Sequence, residues 1–411
     1  MKNTSLIASL LTVMFFIGCS SDDDTGTETP IAGESSEALI LIEGTNESGA
    51  YFLNQEGEEV YNFNLDDALG NDGNLLDDGS LVAMIKSGNS NITFGGFGGG
   101  MIKRNVDGSI EWEIDYATNE YICHHDVEYL PNGNILFLVW ELVDNAEAVE
   151  AGFSSTVDIF PETIIEMNPL TQEIVWEWNM MDHLVQDNDN TKSNFGVVVD
   201  NPNKVDINYN SSREDGDLAH ISGMTYDAED DLIYLSVNYY DEIWILDHST
   251  TTDEAATSEG GNFGKGGDLI YRFGNPLAYK NTTAEVFFNR VHYPNLLDTG
   301  NLLVFSNRVD LEQSSVVEFE LPNPLSLEPG VDNDPEIVWS FTDPDLFSNI
   351  VSSAVRMRNG NTLISEGIEG YIWEVTNEGE VVRNMKVEDN ILWRAYVFYI
   401  DDPAIQALGI E

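Results

Sequence analysis

The sequence predicts an all-β fold, a six-bladed β-propeller. Three observations carry that prediction. A three-element strand unit recurs along the chain, tight-turn signals open one element of most units, and no long amphipathic helix interrupts the mature chain. A core unit of roughly 45 residues holding several short strands has the length of a propeller blade.

The first element is a strand that follows a tight turn: "DDGSLVAM" (77–84), "PNGNILFL" (131–138), "AEDDLIYL" (228–235), "DTGNLLVF" (298–305) and "RNGNTLIS" (358–365). Asn-Gly and Asp-Gly pairs tolerate the positive φ that hairpin turns require. "EALILIEG" (37–44) reads as a further copy without its turn. The second element is "GAYFLN", "GMIKRN", "TIIEMN", "EIWILD", "VVEFEL" and "YIWEVT". The third is "EEVYNF", "SIEWEI", "EIVWEW", "DLIYRF", "EIVWSF" and "EVVRNM". The third elements end at 63, 114, 178, 273, 341 and 385, so spacings of 44 to 95 residues imply long insertions between units. Six copies give six blades. A long β-sandwich is the competing architecture, but sandwiches need no such repeat. The early strands near 37–63 are expected to complete a blade shared with the C-terminus.

Three units carry histidine just ahead of the turn: His124 and His125 in "HHDVEYLPNGN", His220 in "HISGMTYDAEDD", His292 in "HYPNLLDTGN". Repeats stacked around an axis put equivalent positions at equivalent radius and height. These histidines, from a total of 6, are therefore expected in one central cleft. His292 is the candidate nucleophile: a neutral imidazole nitrogen attacks electrophilic sulfur or phosphorus and leaves a labile adduct. His124, His125 and His220 are candidates to polarise the transferred group or to move a proton. A zinc site built from three such histidines is the competing chemistry. No acidic or thiol ligand stands at a standard metal spacing, so no metal is assigned. Asp126 is placed to orient one of the neighbouring rings.

The chain carries 17 Lys and Arg against 73 Asp and Glu, a formal net charge of −56. Nucleic acid is excluded as a partner, because no basic patch exists to release counterions. An anionic substrate would meet a repelling field, so local cations must reverse the potential at its site. Arg290 lies two residues before His292, and Arg356 shares the pre-turn segment of its own unit; both are candidate anion ligands. Arg308 and Arg358 read more simply as surface ion pairs. Cys123 reads as a small buried residue. The glycine run "FGGFGGGM" (94–101) lacks the Lys-Ser/Thr of a phosphate loop.

Residues 1–18 have the basic start and short apolar stretch of a signal peptide. Cys19 follows Ile17-Gly18 as in a bacterial lipoprotein cleavage box. Residues 19–36, opening "CSSDDD", read as an acidic and polar tether, and 37–411 as the propeller. The expectation is a monomeric outer-membrane lipoprotein, lipidated at Cys19 and exposed at the surface, with the periplasmic face as the alternative. "SSDDD" resembles the export signal of Bacteroidetes surface lipoproteins.

Taken together, "HHDVEYLPNGN", "HISGMTYDAEDDLIYLS", "GKGGDLIYRFGNPLAY", "HYPNLLDTGNLLVF" and "AVRMRNGNTLISEGIEGYIWEV" resemble segments of the bacterial arylsulfate sulfotransferases, over roughly 120–380. The resemblance implies a six-bladed propeller and ping-pong transfer from an aryl sulfate donor to a phenolic acceptor. It implies no cofactor: neither phosphoadenosine phosphosulfate nor a metal. His292 matches the sulfated histidine, and His220 and the 124/125 pair match its two supporting histidines. The family commonly has arginine where this chain has Asn238, which leaves substrate binding there to an uncharged amide. A non-catalytic propeller lipoprotein that binds sulfated glycans or phenols is the alternative function.

Overall fold

Each repeat folds as an antiparallel meander of four strands. Ile221–Asp227, Leu232–Val237, Glu242–Asp247 and Tyr271–Phe273 pair in that order. Val291–Leu296, Leu302–Ser306, Ser315–Glu320 and Glu336–Phe341 repeat the pattern. So do Ser353–Arg356, Thr362–Glu366, Tyr371–Val375 and Val381–Lys386. Two further meanders, opening with Leu69–Leu75 and Tyr121–Tyr129, form one eight-stranded sheet. They touch through a parallel pairing of one residue with one, Asn71 with His125. Besides a short parallel pair, Leu184–Val185 with Val205–Asp206, one more four-stranded sheet joins strands from early and late in the sequence: Leu392–Tyr399 pairs with Ala38–Gly44, followed by Ala50–Leu53 and Glu59–Asn62. The fold is an all-β propeller, and the expected sharing of a sheet between the two ends is present.

This computed structural model describes residues 38–44, 49–88, 90–387 and 391–411. The expected signal peptide, lipidated Cys19 and tether fall on residues 1–36, which lie outside the described residues. Among the described residues, no helix is long and apolar enough to cross a membrane.

The three recurrent sequence elements are the second, third and fourth strands of each meander. Between first and second strands, Gly79, Gly133, Gly300 and Gly360 adopt φ of 79° to 87°, and Asp231 fills the same role at 56°. Side chains stabilise the turns: Asn132 Oδ1 accepts from the Asn134 N–H at 2.9 Å, and Asn359 Oδ1 from the Asn361 N–H at 2.9 Å.

Apolar residues fill the space between neighbouring sheets. Leu136 and Leu138 of one meander pack in a cluster with Met224, Ile233 and Leu235 of the next. Each such side chain contributes about 1.5–3 kcal/mol on burial. Trp176 from an outer strand is buried in the same cluster, and its indole N–H donates to Thr250 Oγ1 at 3.0 Å.

Polar groups gather where first strands of different sheets meet. The guanidinium of Arg394 donates to Asp126 at 2.5 Å and to the Ser222 carbonyl at 3.1 Å, and lies 2.9 Å from Asp72. Tyr396 donates to Asp72 at 2.5 Å, and Arg394 lies over the Tyr293 ring at 4.7 Å. Asp126 also accepts from the Met224 N–H at 2.6 Å. It therefore ties three sheets together and does not orient a histidine ring, contrary to the sequence expectation. Its place in a strand bulge explains this, since the bulge turns His125 and Asp126 to different neighbours.

Candidate functional site

The pairing register puts His124 opposite Leu138 and His292 opposite Phe305, each partner being the fourth residue of its strand. His220 precedes its strand, and its carbonyl accepts from the Asn238 N–H at 3.2 Å. The repeat equivalence therefore holds for His124 and His292 and is offset for His220. The offset does not separate the rings: those of His125 and His220 lie 5.0 Å apart, edge to face. The positive charge either His220 or His292 would carry acts on His125, and that of His220 on His292. His125 and His220 both adopt left-handed φ, 53° and 51°.

His124 is fully buried and stacks on Trp140 at 3.7 Å. Its Nε2 lies 2.8 Å from Glu162 Oε2, and its Nδ1 2.8 Å from Nδ1 of His125. Glu162 Oε1 accepts from the Ile221 N–H at 2.8 Å. Burial holds both imidazoles well below their usual pKa, with the His220 charge acting the same way. Burial also pushes the Glu162 carboxyl well above the usual range, helped by Asp217. His125 packs against the loop at Gly96, whose carbonyl accepts the His125 N–H at 2.9 Å. A Cβ at Gly96 would stand 2.1 Å from His125 Nε2, and φ there is 80°. The glycine run thus brings a loop against His125. Gly96→Ala is expected to lower transfer by at least about 10²-fold while most of the fold survives, because strain and clash both fall on one loop. A steady-state assay beside a thermal melt checks this.

His220 Nδ1 donates to Asp217 Oδ2 at 2.5 Å, and its ring stacks on Tyr239 at 4.5 Å. Two guanidiniums lie over that tyrosine, Arg213 at 3.5 Å and Arg290 at 4.4 Å. Arg213 also donates to Asp215 at 2.7 Å. Arg290 has no carboxylate within salt-bridge distance among the described residues; its Nη1 donates to Asn238 Oδ1 at 3.1 Å. Asn238 in turn donates to the Val291 carbonyl at 3.2 Å and stands 3.5 Å from His292 Nδ1. A guanidinium without a carboxylate partner among the described residues therefore adjoins the amide that stands where the family commonly has arginine.

His292 has a defined tautomer. The Asn307 amide donates through Nδ2 to the carbonyls of Ser348 and Val351, which turns its Oδ1 to His292 Nδ1 at 2.6 Å. Nδ1 must then carry the proton. Nε2 accepts from the Val351 N–H at 3.1 Å. Val351 is β-branched yet sits at φ 53°, and Ser352 at 90°, so this segment is held under strain. Burial lowers the His292 pKa to about 3, against the opposing hydrogen bond from Asn307 and with help from His220, Arg394 and Arg290. The imidazole is neutral at physiological pH and its lone pair is on Nε2.

Arg356 does not join this group. It ends its strand, pairs with Thr362 across the turn, and gives its guanidinium to Glu318 at 2.6 Å and to the face of Trp339. The histidines lie farther from the turn: His220 just before its strand, His292 second in its strand, and His124 and His125 in the middle of theirs. The shared pre-turn segment is long enough to span a blade, so position in the segment decides the end. Arg356 instead lines a cavity of about 850 Å³ with Asn295, Met357 and Phe398. Arg308 and Arg358 pair with Asp310 and with Asp401 and Asp402, as the surface reading expects. His183 bonds Asp268 and the Ala255 carbonyl, and His248 bonds Asp231, both away from the cluster. Buried Cys123 contacts Met84, and burial pushes its thiol up to about 12. Among the described residues, no group of three or more His, Cys, Asp or Glu is disposed to hold a metal ion.

Glu162, Asp217, Asn307 and Arg213 were not singled out by sequence. Arg213 carried a usable signal, as one of 17 basic residues and seven before His220. Asn307 follows the strand after His292, as Asn238 does after His220. Glu162 is indistinguishable in sequence from the other 72 acids.

Propeller fold and buried histidine cluster define a β-propeller protein with a neutral, oriented imidazole near a guanidinium that no carboxylate pairs among the described residues. The chain belongs to the arylsulfotransferase (ASST) family, whose profile matches residues 26–395. Membership supports aryl sulfotransferase activity in general terms. No curated protein matches the chain. Among solved structures, a protein of unknown function from Bacteroides caccae is similar at 14% identity and TM-score 0.51, over 88% of this chain and 99% of that one. That likeness shows the fold alone. A functionally unknown protein from Desulfotomaculum acetoxidans is more distant, at 11% identity, TM-score 0.47, and the same 88% and 99% coverage.

Proposed function

We propose that this chain is a six-bladed, surface-anchored aryl sulfotransferase. It moves a sulfo group from an aryl sulfate to a phenol through a sulfohistidine on His292, without phosphoadenosine phosphosulfate. Reading the eight-stranded sheet as two blades rests on its one-residue junction. The observation that carries the function is the His292 tautomer: Nδ1–H held by Asn307, and Nε2 bearing the lone pair. Nε2 attacks sulfur, giving up its hydrogen bond from Val351, which costs about 0.5–1.5 kcal/mol. Arg290 and the N–H groups around it oppose the charge on the sulfo oxygens, the role that positioned cations have in phosphoryl transfer. His220, oriented by Asp217, and His125 handle the phenolic proton.

Incubation with 4-nitrophenyl sulfate, with and without phenol, followed by intact mass analysis, tests this reading. One added sulfo group without phenol, discharged by phenol, is the expected result. Saturable binding with no adduct and no transfer would leave a propeller that binds sulfated glycans or phenols, the reading Asn238 favours. Residues 1–18 serve as signal peptide, 19–36 as tether, and Cys19 carries lipid, placing the monomer on the outer membrane. Cys19→Ser is expected to release the protein from membranes, since acyl chains contribute about 0.8 kcal/mol per buried CH₂. Detergent partitioning unchanged by the substitution would reject acylation.

A further inference from the structure

We infer that Glu162, His124 and His125 form a proton relay that switches His125 Nε2 between donor and acceptor. The inference rests on the sulfuryl-transfer reading and assigns it a proton store. The geometry is a chain of three contacts, each at 2.8 Å: Ile221 N–H to Glu162 Oε1, Glu162 Oε2 to His124 Nε2, and His124 Nδ1 to His125 Nδ1. Two nitrogens facing each other at that distance share one proton, so one ring donates and the other accepts. The chain therefore has two self-consistent states. With Glu162 protonated, its O–H donates to His124 Nε2, His124 Nδ1–H donates to His125, and His125 Nε2 carries a proton. With Glu162 ionised, every bond reverses and His125 Nε2 carries a lone pair.

Surroundings act on the two states in opposite directions. Glu162 and His124 are fully buried, which disfavours the carboxylate, while the Ile221 N–H favours it. The titratable groups facing Glu162 are His124, Asp217 and His220. Stacking on Trp140 fixes the His124 ring so that both its nitrogens stay in line. Among the described residues, no group hydrogen-bonds to His125 Nε2, the outer end of the chain.

The reaction uses both states in turn. In the first half, the bond from the aryl oxygen to sulfur breaks as His292 Nε2 bonds to sulfur. The leaving oxygen takes the proton from His125 Nε2; His124 passes its Nδ1 proton to His125 Nδ1, and Glu162 passes its own to His124 Nε2. In the second half, the acceptor phenol returns one proton through the same atoms to Glu162 while its oxygen takes the sulfo group and the nitrogen–sulfur bond breaks. Protons and charge balance over the cycle. Glu162 and His124 act through His125, and neither touches substrate.

Glu162→Gln tests this. The amide keeps both contacts, accepting from Ile221 and donating to His124, but cannot release a proton. His125 Nε2 is then locked as a donor. The expected result is a first-turnover burst from 4-nitrophenyl sulfate within about threefold of wild type, because nitrophenolate leaves without a proton. The burst from phenyl sulfate and the turnover onto phenol should each fall by about 10²–10⁴-fold. The dependence of rate on leaving-group and acceptor pKa steepens accordingly. Equal losses on both donors, or no loss on either, would overturn the relay. Histidine ¹⁵N spectra give a readout independent of activity. In wild type the His125 tautomer should change with pH, and in Glu162→Gln it should stay Nε2–H. A wild-type tautomer that never changes also overturns the relay, whereas a missing sulfo adduct in wild type overturns only the transfer reading.

Discussion

His292→Asn is expected to abolish both the sulfo adduct and the transfer to phenol, a loss of at least about 10⁴-fold in turnover. The asparagine amide can occupy part of the ring's volume and still meet Asn307, but it offers no nitrogen lone pair. Mass analysis after incubation with donor alone reads the adduct, and nitrophenol release reads the transfer. The pH profile sharpens the expectation. The His292 pKa is lowered to about 3, chiefly by burial, so its lone pair is available at any pH well above that value. Protonation of His292 therefore removes adduct formation only as pH falls toward 3, not through 6.5 as an exposed histidine would. An adduct that survives in His292→Asn would move the nucleophile to another residue.

Arg394→Met is expected to destabilise the fold by about 3–5 kcal/mol, the cost of leaving buried charge without its partner. Arg394 is the cation between Asp72 and Asp126, and its loss strands both. The sign with pH follows from Asp126, whose pKa is raised to about 7, mainly by burial. A carboxyl raised in the folded state contributes stability at low pH that is lost as pH rises through the folded value. Without Arg394 the folded value rises further, so the deficit should be larger at pH 8 than at pH 6. Chemical denaturation at the two pH values measures it. Asp126→Asn in the same chain should recover part of the loss at pH 8.

Most of the fold could be read from the sequence because the second, third and fourth strands alternate or run apolar between turn signals. The first strands could not. "HHDVEY" and "ISGMTYD" place polar side chains inward, where first strands of several sheets meet, so hydrophobic pattern is silent there. Ala38–Gly44 was readable, and its partner Leu392–Tyr399 was anticipated only as an unnamed C-terminal strand. In the site, scarcity did the work. Six histidines and 17 basic residues made His292, His220 and Arg290 conspicuous. The same logic misplaced Arg356, because a segment that crosses the blade has two ends and only register distinguishes them. Glu162 and Asn307 needed coordinates, since in this chain acids and amides are too common to mark a partner.

The sheet shared by the two termini sets an order on biogenesis. Residues 392–399 come after every other described strand of the ring in chain order, and Arg394 on that strand brings the positive charge that Asp72 and Asp126 require. Until it arrives, the nascent ring is open and its inner acids repel one another. Closure of the ring therefore comes late in chain order, after the strands that carry the histidines have been made.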